Sequence, residues 1–305
     1  MSFKKDLISA ANDIQEVGLD ADRGYYSCVR ENAYKCLAED VYAFENGDGN
    51  EWRCGGKACA VHSSSMLAYN FFSWIGANNT CRIDGVEYNE RFFEVRIPCL
   101  TTSRANMDVT LLSRDKKHVL FIESKFTEHF SNASSKMRGL SDAYSDSQKY
   151  YEQGDIWPKL IAVEKGDAKR GDAYFDGIKQ EICHLIAIEN IARHNKRALD
   201  AFRRLNQNSH AGLVYAIPSI VQFDFMSLVF APNSKQYKIE HEAYLRYAKV
   251  QDAFRAQLAR WDSTPNVGVK YMTYSDLWVK IKESIDDQRR QYLFNRYMTF
   301  AVNKT

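Results

Sequence analysis

Apolar residues recur along this chain with two periods, and the change from one to the other divides the sequence. Near the N-terminus Leu7, Ile8, Ala11 and Ile14 fall on one helical stripe and Tyr26, Val29, Ala33, Cys36 and Leu37 on another. The first sixty residues therefore read as helical, closed by a loop, NGDGNEWRCGG. HSSSMLAYNFFSWIG then sets Leu67, Phe71, Trp74 and Ile75 at helical spacing, with serines to cap its start and Gly76 at its end. Beyond it the period falls to two. Phe93, Val95 and Ile97 alternate with Glu94 and Arg96, and Met107, Val109 and Leu111 alternate with Asp108 and Thr110, which predicts two strands.

After the polar turn SRDKKH, the segment VLFIESKF is apolar on both faces until its end, as a central strand covered from both sides must be. A stretch rich in Ser, Tyr and Asp follows, and then Ile178, Ile182, Leu185 and Ile186 mark a helix running towards the basic stretch RHNKRALDAFRR. GLVYAIP reads as another strand, HEAYLRYAKVQDAFRAQLARW as a helix, VGVKYMT as a short strand, and the chain from Ser275 as a C-terminal helix. The expected class is α/β, with a mixed central sheet flanked by helices in the order helix, three strands, helix, strand. With neither an internal repeat nor a Pro/Ser-rich linker, a single domain is expected: a helical addition over 1–60, a core over 61–220, and C-terminal helices with a short strand over 221–305.

Composition narrows the class without naming a function. Of the 305 residues 45% are hydrophobic, enough for a large core. The longest apolar run, around SLVFAP, is too short to span a bilayer, and MSFKKDLISAAND turns polar before a signal-peptide core develops, so a cytoplasmic protein without a membrane partner is expected. Seven cysteines form an odd set with no Cys-x-x-Cys pair, which points to reduced thiols rather than a disulfide framework or a zinc finger. A net charge of only +2 leaves any polyanion to a local basic face.

Chemistry concentrates at the end of the apolar strand. Glu123 and Lys125 are two apart, so both project from one face while Ser124 points away. Asp108 lies in the preceding strand, with fourteen residues between it and Glu123, a separation that two adjacent strands joined by SRDKKH can bridge. Two carboxylates suit a hard divalent cation such as Mg²⁺, for which Mn²⁺ substitutes, with the backbone carbonyl of Ser124 as a further oxygen ligand. Lys125 beside them would orient an attacking water and stabilise developing charge. Other acid-x-Lys triplets, Asp115 to Lys117 and Asp167 to Lys169, sit in hydrophilic turns. Glu123 and Lys125 interrupt an apolar strand, where unpaired charge is costly unless a site uses it or the two form an ion pair.

These residues resemble the Asp and Glu-x-Lys motif of the PD-(D/E)xK nuclease superfamily: NMD, the intervening strand and turn, then IESKF, with Met107 where the motif has its proline. SSSMLAYNFF before the sheet and GIKQEICHLIAIEN behind it resemble a restriction-endonuclease-like bacterial branch, over roughly residues 45 to 220. The resemblance implies a restriction-endonuclease-like core, Mg²⁺ dependence and cleavage of phosphodiester bonds in DNA by Asp108, Glu123 and Lys125. It also implies an acidic residue ahead of the sheet, for which Glu51 is the candidate because no Glu or Asp occurs between Ala60 and Ala77. A polar residue on the following helix is implied as well, for which Gln180 is the candidate, with Lys179 and His184 as surface or supporting residues. Many such enzymes are homodimers. For DNA, Arg193, Lys196, Arg197, Arg203 and Arg204 cluster over about three helical turns and can neutralise phosphates or simply form a solvated face. The aromatic YSDSQKYYEQGDIW offers base stacking. A DNA-binding protein of the same fold without catalysis is the alternative reading.

Overall fold

A computed structural model describes residues 2–14, 18–37, 40, 56–130, 141–152, 157–158, 161, 179–259 and 266–301. Helix α1 (Phe3–Ile14) buries Phe3, Leu7 and Ala11, one residue per turn. The second expected helical stripe is largely replaced by a small hairpin, β1 (Leu19–Asp20) with β2 (Tyr25–Tyr26), and a single turn, α2 (Val29–Asn32). Gly18 and Gly24 take positive φ at the hairpin, and Lys35 at φ 54° ends any continuation of the helix. Helix α3 (Ser64–Phe72) starts on Ser63, whose side chain accepts from the Met66 amide, and it is buried on nearly every side.

The sheet has six strands: β3 (Cys81–Ile83), β4 (Val86–Pro98), β5 (Arg104–Ser113), β6 (His118–Lys125), β7 (Gln222–Val229) and β8 (Val267–Thr273), adjacent in that order. Strands β3 to β6 form an antiparallel meander, and β6, β7 and β8 run parallel, so the sheet is mixed. Helices α4 (Lys179–Ala192), α5 (Lys196–Asn206) and α6 (Ala211–Ala216) come between β6 and β7, α7 (Lys238–Leu258) between β7 and β8, and α8 (Tyr274–Ile281) and α9 (Asp287–Leu293) after them. One apolar layer joins α1, α3 and α8 to Leu120, Ile122, Met226 and Leu228. The other joins α4, α5 and α6 to Val119, Phe121, Phe223 and Phe225. Among the described residues no helix is long and apolar enough to cross a membrane.

A further sequence expectation is corrected. GLVYAIP forms helix α6 and a 3-10 turn, not a strand: Leu213, Ala216 and Ile217 are buried at helical spacing, and the strand pairing with β6 is Gln222–Val229. The helix expected to run towards the basic stretch does so, ending at Ala192 as α4. The chain turns at His194, with φ 53°, and restarts as α5 on the Asn195 cap, whose side chain accepts from the Ala198 amide.

The alternation expected along β4 and β5 also breaks at one place. Phe93 and its partner Val109 enter the first layer, whereas Val95 and its partner Met107 enter the second. Both strands thus exchange faces across the positions between, Glu94 and Asp108, and Glu94 carries the reversal with a φ of 54°.

A π-helical turn after α9, Phe294–Met298, ties the helices that follow β8 to the N-terminal segment. Its fully buried Arg296 donates to Tyr26 Oη at 2.7 Å and Asn32 Oδ1 at 2.5 Å. Asn32 in turn donates to the carbonyls of Ala58 and Ala60 at 2.7 and 2.8 Å.

Candidate active site

Strand β6 carries its apolar positions to Ile122 and ends in three polar residues. Glu123 and Lys125 continue the side of Val119 and Phe121 and face α4; Ser124 faces α3. Both charged residues are buried, at 4% and 8% exposure, so each must find partners inside the protein. Lys125 Nζ donates to Glu123 Oε1 at 2.5 Å and to Gln180 Oε1 from the first turn of α4. Burial opposes the Lys125 charge, but Glu123, Glu181 and Glu128 outweigh it and hold the ammonium above its ordinary range. Burial pushes the Glu123 carboxyl up, against the pull of Lys125.

Asp108 reaches this group because β5 leaves the ladder after Val109, the last residue paired with β6. Its Oδ2 accepts the Ser124 amide at 2.7 Å. Burial, then Glu123, then Glu94 raise its carboxyl well above the usual carboxylate range. Two acids so placed repel each other when ionised, and a cation between them would relieve the repulsion. The Ser124 hydroxyl is occupied elsewhere, donating to the Ser64 carbonyl at 3.0 Å and lying 2.7 Å from Tyr274 Oη. Its backbone carbonyl lies on the same strand edge as the amide that Asp108 receives, so the backbone is the part of Ser124 open to the site.

Asp108, Glu123, Lys125 and Gln180 line one cleft of about 370 Å³ together with Tyr25, Lys57, His62, Ser63, Ser64, Ser65, Thr127 and Glu128. The N-terminal turns of α3 and α4 flank it. His184, one helical turn beyond Gln180, is also drawn in: its Nδ1 lies 3.7 Å from Glu123 Oε2 and has no hydrogen-bond partner among the described residues. Burial and Lys125 push the imidazole down to about 3, so the ring is neutral. Beneath Lys125, the buried Glu181 accepts from Tyr247 Oη at 2.6 Å, Gln251 Nε2 at 2.9 Å and Ser227 Oγ at 3.4 Å. Ser227 stands opposite Glu123 in the β6–β7 register.

The remaining sequence candidates separate. Glu51 lies outside the described residues. Arg193 is engaged by Glu189 and Glu152, each at 3.1 Å, which leaves it a poor phosphate ligand. Lys196, Arg197, Arg203 and Arg204 are exposed on α5, Arg203 lying 3.4 Å from Asp200, and none of the five lines the cleft. Sequence reasoning missed Lys57, His62, Thr127 and Glu128. His184, named from the sequence as a surface or supporting residue, carried a usable signal in its i, i+4 relation to Gln180.

Among the described residues no three His, Cys, Asp or Glu side chains converge as a metal cage, so side chains alone supply two carboxylates. That donor set fits a cation that keeps several waters, as Mg²⁺ does, better than one needing a closed cage. Compared with models of protein families, with curated proteins and with solved structures, the chain matches none.

Proposed function

We propose that this chain is a metal-dependent nuclease of the PD-(D/E)xK type that hydrolyses phosphodiester bonds in DNA. One observation carries the reading: Asp108, Glu123 and Lys125, from two neighbouring strands, line a single cleft, with Asp108 held on the Ser124 amide. The order α3, β4, β5, β6, α4, β7, with β7 parallel to β6, agrees with the helix, three strands, helix, strand core that the motif implies.

Asp108, Glu123 and the Ser124 carbonyl would hold Mg²⁺ or Mn²⁺. Such an ion acidifies a bound water and neutralises charge on the phosphate. Lys125, fixed by Glu123 and Gln180, keeps its ammonium at the mouth of this group, where it orients the attacking water and stabilises negative charge on phosphorus oxygens. Neutral His184 sits behind Glu123 and limits its freedom without adding charge.

The test is cleavage of supercoiled plasmid and of varied and modified duplexes with Mg²⁺ or Mn²⁺, beside Asp108→Asn and Lys125→Ala. Metal-dependent nicking lost in both variants is expected. Binding without cleavage on every substrate and metal overturns the reading in favour of a DNA-binding module, and cleavage retained in both variants moves the site elsewhere.

A further inference from the structure

Cys99 follows β4 and Cys183 lies in the second turn of α4, and the fold brings the two side chains together around Tyr144. Both sulfurs also meet one phenol: Tyr144 Oη is 3.0 Å from Cys183 Sγ and 3.9 Å from Cys99 Sγ. Cys99 is buried and Cys183 is partly open to solvent. The phosphodiester chemistry proposed above uses neither.

The two thiols are polarised in opposite directions. The hydrogen bond from Cys99, then the Tyr144 hydroxyl and the Lys179 ammonium, hold Cys183 below the ordinary thiol value against the effect of burial. Cys99 is pushed well up, first by that same hydrogen bond and then by burial. One sulfur is therefore reachable and nucleophilic while its neighbour keeps its proton. By contrast, burial alone pushes Cys81 up to about 12, and burial first of all raises Cys36.

We propose that Cys183 and Cys99 form a dithiol oxidised by hydrogen peroxide, Cys183 as the attacking sulfur and Cys99 as the resolving one. The Cys183 thiolate attacks one peroxide oxygen, the O–O bond breaks, and the hydroxide released takes a proton to become water, leaving a sulfenic acid on Cys183. The Cys99 sulfur then attacks the Cys183 sulfur. An S–S bond forms, the S–O bond breaks, and the departing hydroxide takes the Cys99 proton as a second water. Two thiols lose two electrons and the peroxide gains them. The disulfide fastens α4 to the end of β4. Because Cys183 stands between Gln180, which holds Lys125, and His184, beside Glu123, the modification lies within one helical turn of the cleft. It does not rest on the nuclease reading, so its test needs no nuclease assay.

The experiment is a tryptic map of the full chain after brief exposure to peroxide and blocking with N-ethylmaleimide. A peptide pair joining residues 97–104 to 180–193, lost on reduction with dithiothreitol, is expected. In Cys99→Ser, Cys183 should instead hold a sulfenic acid that dimedone captures. The proposal is overturned if both thiols remain alkylatable while Cys28 or Cys36 is oxidised, or if Cys183 is joined to any cysteine other than Cys99.

Discussion

Asp108 Oδ2 accepts the Ser124 amide at 2.7 Å, just past Val109 and Ile122, the last pair that β5 and β6 form. A side chain thus finishes a ladder that the main chain has left, and its charge is held where Glu123 and Glu94 oppose it. Asp108→Asn keeps the acceptor and removes the charge, so in the absence of metal it should unfold later in urea, by about 1 kcal/mol. Asp108→Ala leaves a buried amide unpaired and should cost about 1–3 kcal/mol. An Asn variant weaker than the native chain in EDTA would contradict this electrostatic account.

Lys125 and Glu123 should behave as one unit in a double-mutant cycle. Lys125→Met leaves Glu123 buried without its cation and is expected to cost about 3–5 kcal/mol. Adding Glu123→Gln should recover part of that loss, with a coupling of about 1–3 kcal/mol in urea unfolding. Simple additivity would show that the contact at 2.5 Å carries no energetic link.

The His210 contribution to stability should fall on acidification through a defined window. His210 is buried, lies 2.7 Å from the Phe93 carbonyl through Nε2, and is pushed down from 6.5 to about 4, chiefly by burial. Between those values the unfolded chain binds a proton that the folded chain refuses. The contribution is therefore complete above pH 6.5 and is lost as pH falls towards 4, by at most about 3 kcal/mol. Urea midpoints across this range should slope less in His210→Gln than in the native chain, and an unchanged slope counts against the assignment.

If the chain binds DNA as proposed, the four exposed cations of α5 and Arg193, which precedes that helix, divide in their expected effect. Replacing exposed Lys196, Arg197, Arg203 or Arg204 by Gln should flatten the dependence of log affinity on log salt by about 0.9 for each phosphate no longer neutralised. Arg193→Gln should leave that slope alone, because Glu189 and Glu152 already neutralise it. Equal slopes for all five variants would mean that α5 does not touch the backbone of the nucleic acid.

The sheet was legible wherever periodicity was unmistakable. Strands at 93–97, 107–111 and 119–125 follow from alternation or from an unbroken apolar run, and the shared side of Glu123 and Lys125 follows from a period of two. Strand β7 was hidden because QFDFMSLV is buried on both faces, Phe223 and Phe225 on one and Met226 and Leu228 on the other, so no alternation persists along it. GLVYAIP misled because a short apolar run fits either element, and burial of Leu213, Ala216 and Ile217 decided for the helix. The face exchange at Glu94 and Asp108 had no sequence signal at all, since it rests on a positive φ at a glutamate. Within the cleft, Gln180 followed from the motif resemblance, whereas Lys57 and His62 arrive through tertiary packing of a segment far away in sequence.

The clamp formed by Arg296 gives the turn Phe294–Met298 a role at a distance. Its guanidinium holds Tyr26 and Asn32, Asn32 holds Ala58 and Ala60, and the strand neighbour Tyr25 and the nearby His62 stand at the cleft. Removing this turn would leave every lining side chain in the polypeptide yet release the brace behind one bank of the groove. Shape around the end of β6 that carries Glu123 and Lys125 is thus finished only when a segment translated long after that strand has docked.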